Sequence, residues 1–89
     1  MIIPDSFMKM TQAFHQDIGL IHRRIEPVYD SAVGMVPVEE RAELRRFLDE
    51  LLAATPSVRE SVWGRSNAEV GFRRDSGLVQ ALRDMRDRM

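Results

Sequence analysis

PVEERAELRRFLDELLAA, residues 37–54, is the stretch on which the fold turns. Leu44, Phe47, Leu48, Leu51 and Leu52 recur at spacings of three and four residues, so they share one face of an α-helix. Glu39, Glu40, Arg41, Glu43, Arg45, Arg46, Asp49 and Glu50 fill most of the other positions. Pro37 suits a first helical position, where an N–H would lack an intrahelical partner. Glu39 and Glu40 bring negative charge to the positive end of the helix dipole. Arg45–Asp49 and Arg46–Glu50 have the spacing of i,i+4 ion pairs. Thr55-Pro56 stops the helix, because a residue before proline avoids the helical region. Such a helix is marginal alone, since its apolar face must be buried to offset the entropy of ordering its backbone. The rest of the chain has to supply that cover.

The flanks carry the same periodicity. Asp5 or Ser6 can cap a helix in which Phe7, Met10, Phe14 and Ile18 share a face. Gly19 and Pro27 interrupt it, which predicts a first helix over about 6–17 and a turn or loop to about 26. Pro27 then opens PVYDSAVGM, with Val28, Ala32 and Met35 on one side and Tyr29 and Val33 beside them. Ser57 is the expected cap of SVRESVWGRS, which presents Val58, Val62 and Trp63. NAEVGFRRDSG, residues 67–77, reads as a loop anchored by Val70 and Phe72, with Val-Gly-Phe at most one short extended piece. A last helix runs from about Gly77 to the end, with Leu78, Val79, Leu82 and Met85 inward. Arg83, Asp84, Arg86, Asp87 and Arg88 are expected outward. The sum is all-α: one domain over 1–89, a bundle of four to five helices around the 37–54 helix.

Composition bounds the function. A chain of 89 residues with 44% hydrophobic and 30% charged residues suits one modest core and is not that of a disordered chain. A net charge of −1 gives no bulk attraction to nucleic acid or to an anionic membrane. With no cysteine, disulfides and thiolate metal sites are excluded, which fits a reducing compartment. The N-terminal MIIPDSF lacks the basic and apolar regions of a signal peptide, and no apolar stretch approaches a membrane span. A cytoplasmic protein is expected. Every basic residue but Lys9 is arginine, a bias that suits bidentate ion pairs and interfaces but also follows from a GC-rich genome.

The richest local cluster is Phe14-His15-Gln16-Asp17. A base or ligand role for His15 would need Asp17 beside it, yet residues two apart point to different sides of a helix. His22 is two turns away, roughly 10 Å along a continuous helix, too far to share a metal. The simpler expectation is scaffold, with Asp17 capping a turn and Phe14 in the core. No catalytic residue, metal ligand or cofactor is expected, and no Gly-rich phosphate loop, Ser-His-Asp set or paired-carboxylate motif is present. Glu39, Glu40, Glu43, Asp49 and Glu50 form either a solvated face or an acidic patch for a basic partner, diluted by Arg41, Arg45 and Arg46. Arg65, Arg73 and Arg74, with Arg83, Arg86 and Arg88, could touch phosphates, although Asp75, Asp84 and Asp87 intervene.

The order of these features resembles the small immunity proteins of bacterial contact-dependent growth-inhibition systems. The resemblance rests on Phe14-His15-Gln16-Asp17, on PVEERAELRRFLDELLAA, on the aromatic-bearing loop NAEVGF and on the closing SGLVQALRDMRDRM. It spans about residues 6–88 and departs from the family pattern at Ala81-Leu82, where a tryptophan-leucine pair is expected. It implies a cytoplasmic helical protein, without catalysis of its own, that binds and blocks the toxic C-terminal domain of a large secreted effector. Two other classes fit the residues. One is a small nucleic-acid-binding or regulatory module using Arg65, Arg73 and Arg74; the other is a structural homo-oligomerisation domain whose apolar helix faces complete a dimer.

Overall fold

A computed structural model describes residues 1–16 and 24–89. Among the described residues five α-helices follow one another: α1 Asp5–Thr11, α2 Glu26–Gly34, α3 Arg41–Ala53, α4 Pro56–Gly64 and α5 Asp75–Asp87. A single 3-10 turn, Val38–Glu40, leads into α3. The described residues contain no strand, so the expected all-α class and helix number hold.

α3 is the helix read from residues 37–54, and it is central. It packs against α1, α4 and α5, while α5 also packs against α2 and α4. Leu44, Phe47, Leu48 and Leu51 are buried along its inner face, and Leu52 at the margin is half-buried. Leu78, Ala81, Leu82 and Met85 of α5 and Val28, Tyr29, Ala32 and Val33 of α2 complete one continuous core. Ala32 and Ala81 are wholly buried; residues this small permit close approach of helices.

Several local expectations are corrected. α1 ends at Thr11, not near residue 17, so Phe14 lies beyond the helix yet is buried all the same. Its carbonyl accepts a 2.7 Å bond from the Glu69 amide, a partner that a helix could not have offered it. Neither Asp5 nor Ser6 caps α1; Pro4 holds that position, Asp5 contributes charge in the first turn and Ser6 is buried. Pro37 precedes a 3-10 turn instead of starting the long helix directly. Thr55, not Ser57, caps α4, its hydroxyl accepting from the Val58 amide at 3.3 Å with Pro56 as the first helical residue. Met35 is exposed and Val36 takes the buried place, and on α5 Ala81 is buried where Val79 is only half so. Asp49 pairs with Arg86 of α5 at 3.0 Å in place of the expected Arg45. The expected Asp17 cap, the turn through Gly19 and His22 lie outside the described residues.

The largest departure is on α4. Val58 is exposed and Arg59, expected outward, is only 6% exposed. Its Nη1 donates to the carbonyls of Leu51, Leu52 and Ala54 at the end of α3, where intrahelical donors run out and only Leu51 also accepts from a backbone amide, that of Ala54 at 3.2 Å. Its Nε and Nη2 donate to the two carboxylate oxygens of Asp75, at 2.9 and 2.6 Å, at the first turn of α5. One guanidinium thus ties the end of α3 and the start of α5 to α4. Arg41 does the same on a smaller scale, donating to the carbonyls of Val33 in the last turn of α2 (3.3 Å) and of Val36 just beyond it (3.1 Å).

Arg59→Ala should therefore destabilise the fold by about 2–3 kcal/mol, since several carbonyls and a carboxylate lose a charged donor at once. Thermal denaturation should show a fall of roughly 10 °C or more for a chain this size. The same bond holds the Asp75 carboxyl below its ordinary value of 3.8, against a smaller opposing effect of burial. A carboxyl lowered in the folded state contributes stability above its unfolded value and loses it as pH falls through the folded one. Melting temperature should thus drop more steeply below about pH 4 in the wild type than in Asp75→Asn, measured as paired pH series.

Candidate functional site

Phe14-His15-Gln16-Asp17 begins as scaffold. Phe14 sits 5.0 Å from Trp63 in an edge-on arrangement, with Phe72 at 6.3 Å and Tyr29 at 6.5 Å between centroids. Trp63 in turn meets Phe72 at 5.4 Å and Phe7 at 6.3 Å, and Phe7 meets Phe47 at 5.2 Å. The contacts of Trp63 with Phe7, Phe14 and Phe72, and of Phe7 with Phe47, are edge-to-face arrangements that the rings' quadrupoles favour, while Phe14 meets Phe72 and Tyr29 at a tilt. His15 is half-buried and Gln16 exposed, and Asp17 is outside the described residues. Among the described residues no group of three His, Asp or Glu side chains converges as a metal site would.

A second set of bonds explains why the 67–77 segment follows the first helix. Asn67 accepts nothing here: its amide donates to Thr11 Oγ1 at 3.2 Å and its side-chain nitrogen to the Met8 carbonyl at 3.0 Å. Trp63 Nε1 donates to the Val70 carbonyl at 2.9 Å, holding the ring against the segment that leads into α5. Val70 and Phe72 are half-buried against the core, as the sequence pattern suggests.

The acidic residues of the 37–54 stretch divide. Glu40 receives Lys9 Nζ on both carboxylate oxygens, at 3.0 and 2.9 Å, which staples α1 to the turn before α3. Asp49 is used by Arg86. Glu39, Glu43 and Glu50 are exposed and hold no ion pair among the described residues. Glu43 and Glu50 share one stripe of α3 with Arg46 between them, and Glu39 lies in the 3-10 turn that leads into it. Glu43, Arg46, Phe47 and Glu50 border a shallow depression of about 290 Å³ whose other wall is Ile2 and Pro4. Ile2 is 92% exposed and Val38, at the other end of the stripe, is 74% exposed.

The arginines divide as well. Arg86 is spent on Asp49 and Asp87, and Arg88 pairs with Asp30 at 2.7 Å while lying 5.3 Å over the Tyr29 ring. Burial pushes the Tyr29 phenol above its ordinary value, with the Asp84 charge adding and Arg88 opposing. Arg65, Arg73, Arg74 and Arg83 remain exposed. Arg73 and Arg74 stand at the mouth of a groove of about 510 Å³ between α4 and the start of α5, floored by Trp63, Phe72 and Leu78. Sequence reasoning missed both the groove and Arg59. Arg59 lies three and four positions before Val62 and Trp63, so its register was that of the buried face, but its charge argued for solvent.

The fold and surfaces define a small all-helical protein with one unpaired acidic stripe and one cationic groove. The chain matches no family model, no curated protein and no solved structure.

If Phe14-His15-Gln16 is scaffold, its two described core-side residues should behave very differently. Phe14→Ala should cost about 3–5 kcal/mol as the deletion of a buried aromatic, and His15→Ala should stay within about 0.5 kcal/mol. Urea denaturation of the two variants reads both, and a large loss at His15 would place a hidden structural partner beside it.

Proposed function

We propose that this protein is an immunity protein of the contact-dependent growth-inhibition type, which neutralises a cognate toxin domain by binding it and has no catalysis of its own. The observation that carries the proposal is the α3 stripe of Glu43 and Glu50, with Glu39 in the turn that leads into it. These three carboxylates are exposed and unpaired among the described residues, while Glu40 and Asp49 beside them are drawn into internal pairs. Counting Arg46, the stripe has an excess of two negative charges. Ile2 and Val38, both well exposed, flank it with apolar surface. Charge of one sign with apolar side chains at its margin is the arrangement that steers a basic partner into contact and then holds it. The resemblance of the chain to that immunity family supports the same reading.

The partner would be the basic C-terminal domain of a large secreted effector encoded beside this gene. Inhibition by occlusion is stoichiometric: one equivalent of this protein should silence one of the toxin, and a tenth of an equivalent should leave about nine-tenths of the toxicity, as one-to-one binding requires. Replacing Glu39, Glu43 and Glu50 together by lysine should slow association by roughly tenfold or more at low ionic strength, with the difference shrinking as salt is added. Circular dichroism and melting of the triple variant should match the wild type, because exposed helix positions contribute little stability. Stopped-flow association against the purified toxin domain measures the effect. Equal rates for the two proteins at low salt would take the α3 stripe out of the interface.

A further inference from the structure

The groove between α4 and the start of α5 shares no lining residue with the α3 stripe, and its chemistry is opposite in sign. Its floor is apolar: Leu78 and the edge of Trp63 are buried and Phe72 is half-buried. Its mouth carries Arg73 and Arg74, whose side chains make no hydrogen bond or ion pair among the described residues. Glu60 is the one free acid on the lining, because Asp75 is bound on both oxygens by Arg59.

The placement of the two arginines is unfavourable to the fold. They immediately precede a thirteen-residue helix, where the dipole is positive and cations are disfavoured. Asp75 would ordinarily offset this, but its charge is already engaged by Arg59. Two unpaired cations at a positive helix end are a standing repulsion that an anionic partner would relieve.

The third observation concerns the backbone. Residues 70–72 belong to no helix, and the amides of Gly71, Phe72 and Arg73 donate to no group of the described chain. A Cβ added at Gly71 or at Gly64 across the groove would meet nothing within 4 Å. A segment outside any helix with free amides, beside glycines that leave space, offers donors to which the carbonyls of a peptide backbone can hydrogen-bond. The apolar floor and the acid Glu60 on the lining favour a peptide over the uniformly anionic backbone of a nucleic acid.

We propose that this groove binds an extended acidic peptide segment of a protein partner, with an apolar side chain seated on Phe72 and Leu78 and carboxylates held by Arg73 and Arg74. The site is independent of the immunity reading, since it uses different residues and an oppositely charged ligand.

Trp63 is the single tryptophan of the chain and lines the groove, so its fluorescence responds to occupancy of this site. The intact protein would be titrated with the capped peptide acetyl-Asp-Glu-Leu-Asp-Glu-amide, with a lysine-for-acid version of it and with an eight-residue oligothymidylate. Saturable change in Trp63 emission by the acidic peptide alone, weakening with salt, is the expected result. Arg73→Glu with Arg74→Glu should weaken that binding by about tenfold or more. Its melting temperature should equal or exceed the wild type's, since acids replace cations at a helix N-terminus. Gly71→Val, which the structure accommodates, should also weaken binding by crowding these amides. No emission change at millimolar acidic peptide, equal response to the basic peptide, or tighter response to the oligothymidylate would each overturn the proposal. So would a double variant that melts well below the wild type, because the arginines would then be serving the fold. Failure of the acidic peptide leaves the toxin association of the α3 stripe untouched, so the two readings fail separately.

Discussion

A single buried guanidinium sets the relative placement of three helices. Burying a cation is costly unless every part of it is paired. Arg59 meets that condition by facing a carboxylate on one edge and the open carbonyls of a helix end on the other. The carbonyl end of α3 is the negative pole of its dipole, and Asp75 is a full negative charge. A lysine could serve one of these partners but has no planar fork with which to hold both. The turn between α3 and α4 is short, so the guanidinium also fixes the angle at which the chain reverses.

Arginine performs this kind of task repeatedly in the chain. Arg41 closes the end of α2, Arg86 joins α5 to α3, and Arg88 joins α5 to α2 through Asp30. An 89-residue domain has little interior, and this one has no disulfide with which to supplement it. Polar staples at helix ends and margins specify which helices meet, a matter on which a core of leucine, valine and phenylalanine is less selective. The exposed pairs contribute little energy individually, and their value lies in geometry. The arginine bias read from the composition therefore has a structural use whatever its genomic origin.

The legibility of the sequence tracked how far each residue's fate depended on its immediate neighbours. α3 was readable because five apolar side chains at helical spacing have only one way to be buried together. α1 was overextended because Phe14 falls at helical spacing from Phe7 and Met10, while its burial is produced by Trp63 and Phe72, about fifty residues later. Thr55 and Ser57 are both capping types, and the choice went to the residue before Pro56, since proline is preorganised for the first helical position. Arg59 was illegible for a stronger reason: its burial depends on carbonyls freed by one helix ending and on a carboxylate sixteen residues away. Of the candidate acidic patch, Glu43, Asp49 and Glu50 lie on the expected helix, whereas Glu39 and Glu40 lie in the 3-10 turn before it. Which of them were free could not be read, because Lys9 and Arg86 reach Glu40 and Asp49 from other elements.

That partition has a consequence for recognition. A net charge of −1 suggests a protein with no electrostatic preference. Internal pairing removes charges unevenly, however, and what remains is segregated. Unpaired acids stand along α3 beside the N-terminal arm, and unpaired arginines stand where α5 begins. Near-zero charge with separated poles gives an electric field that orients a partner without attracting polyanions or membranes indiscriminately. It also keeps the chain's own copies from a strong mutual repulsion. The staples that hold the helices therefore also determine the surface potential: each ion pair spent on the fold takes one charge from the surface, and the residues left over are the ones a partner meets.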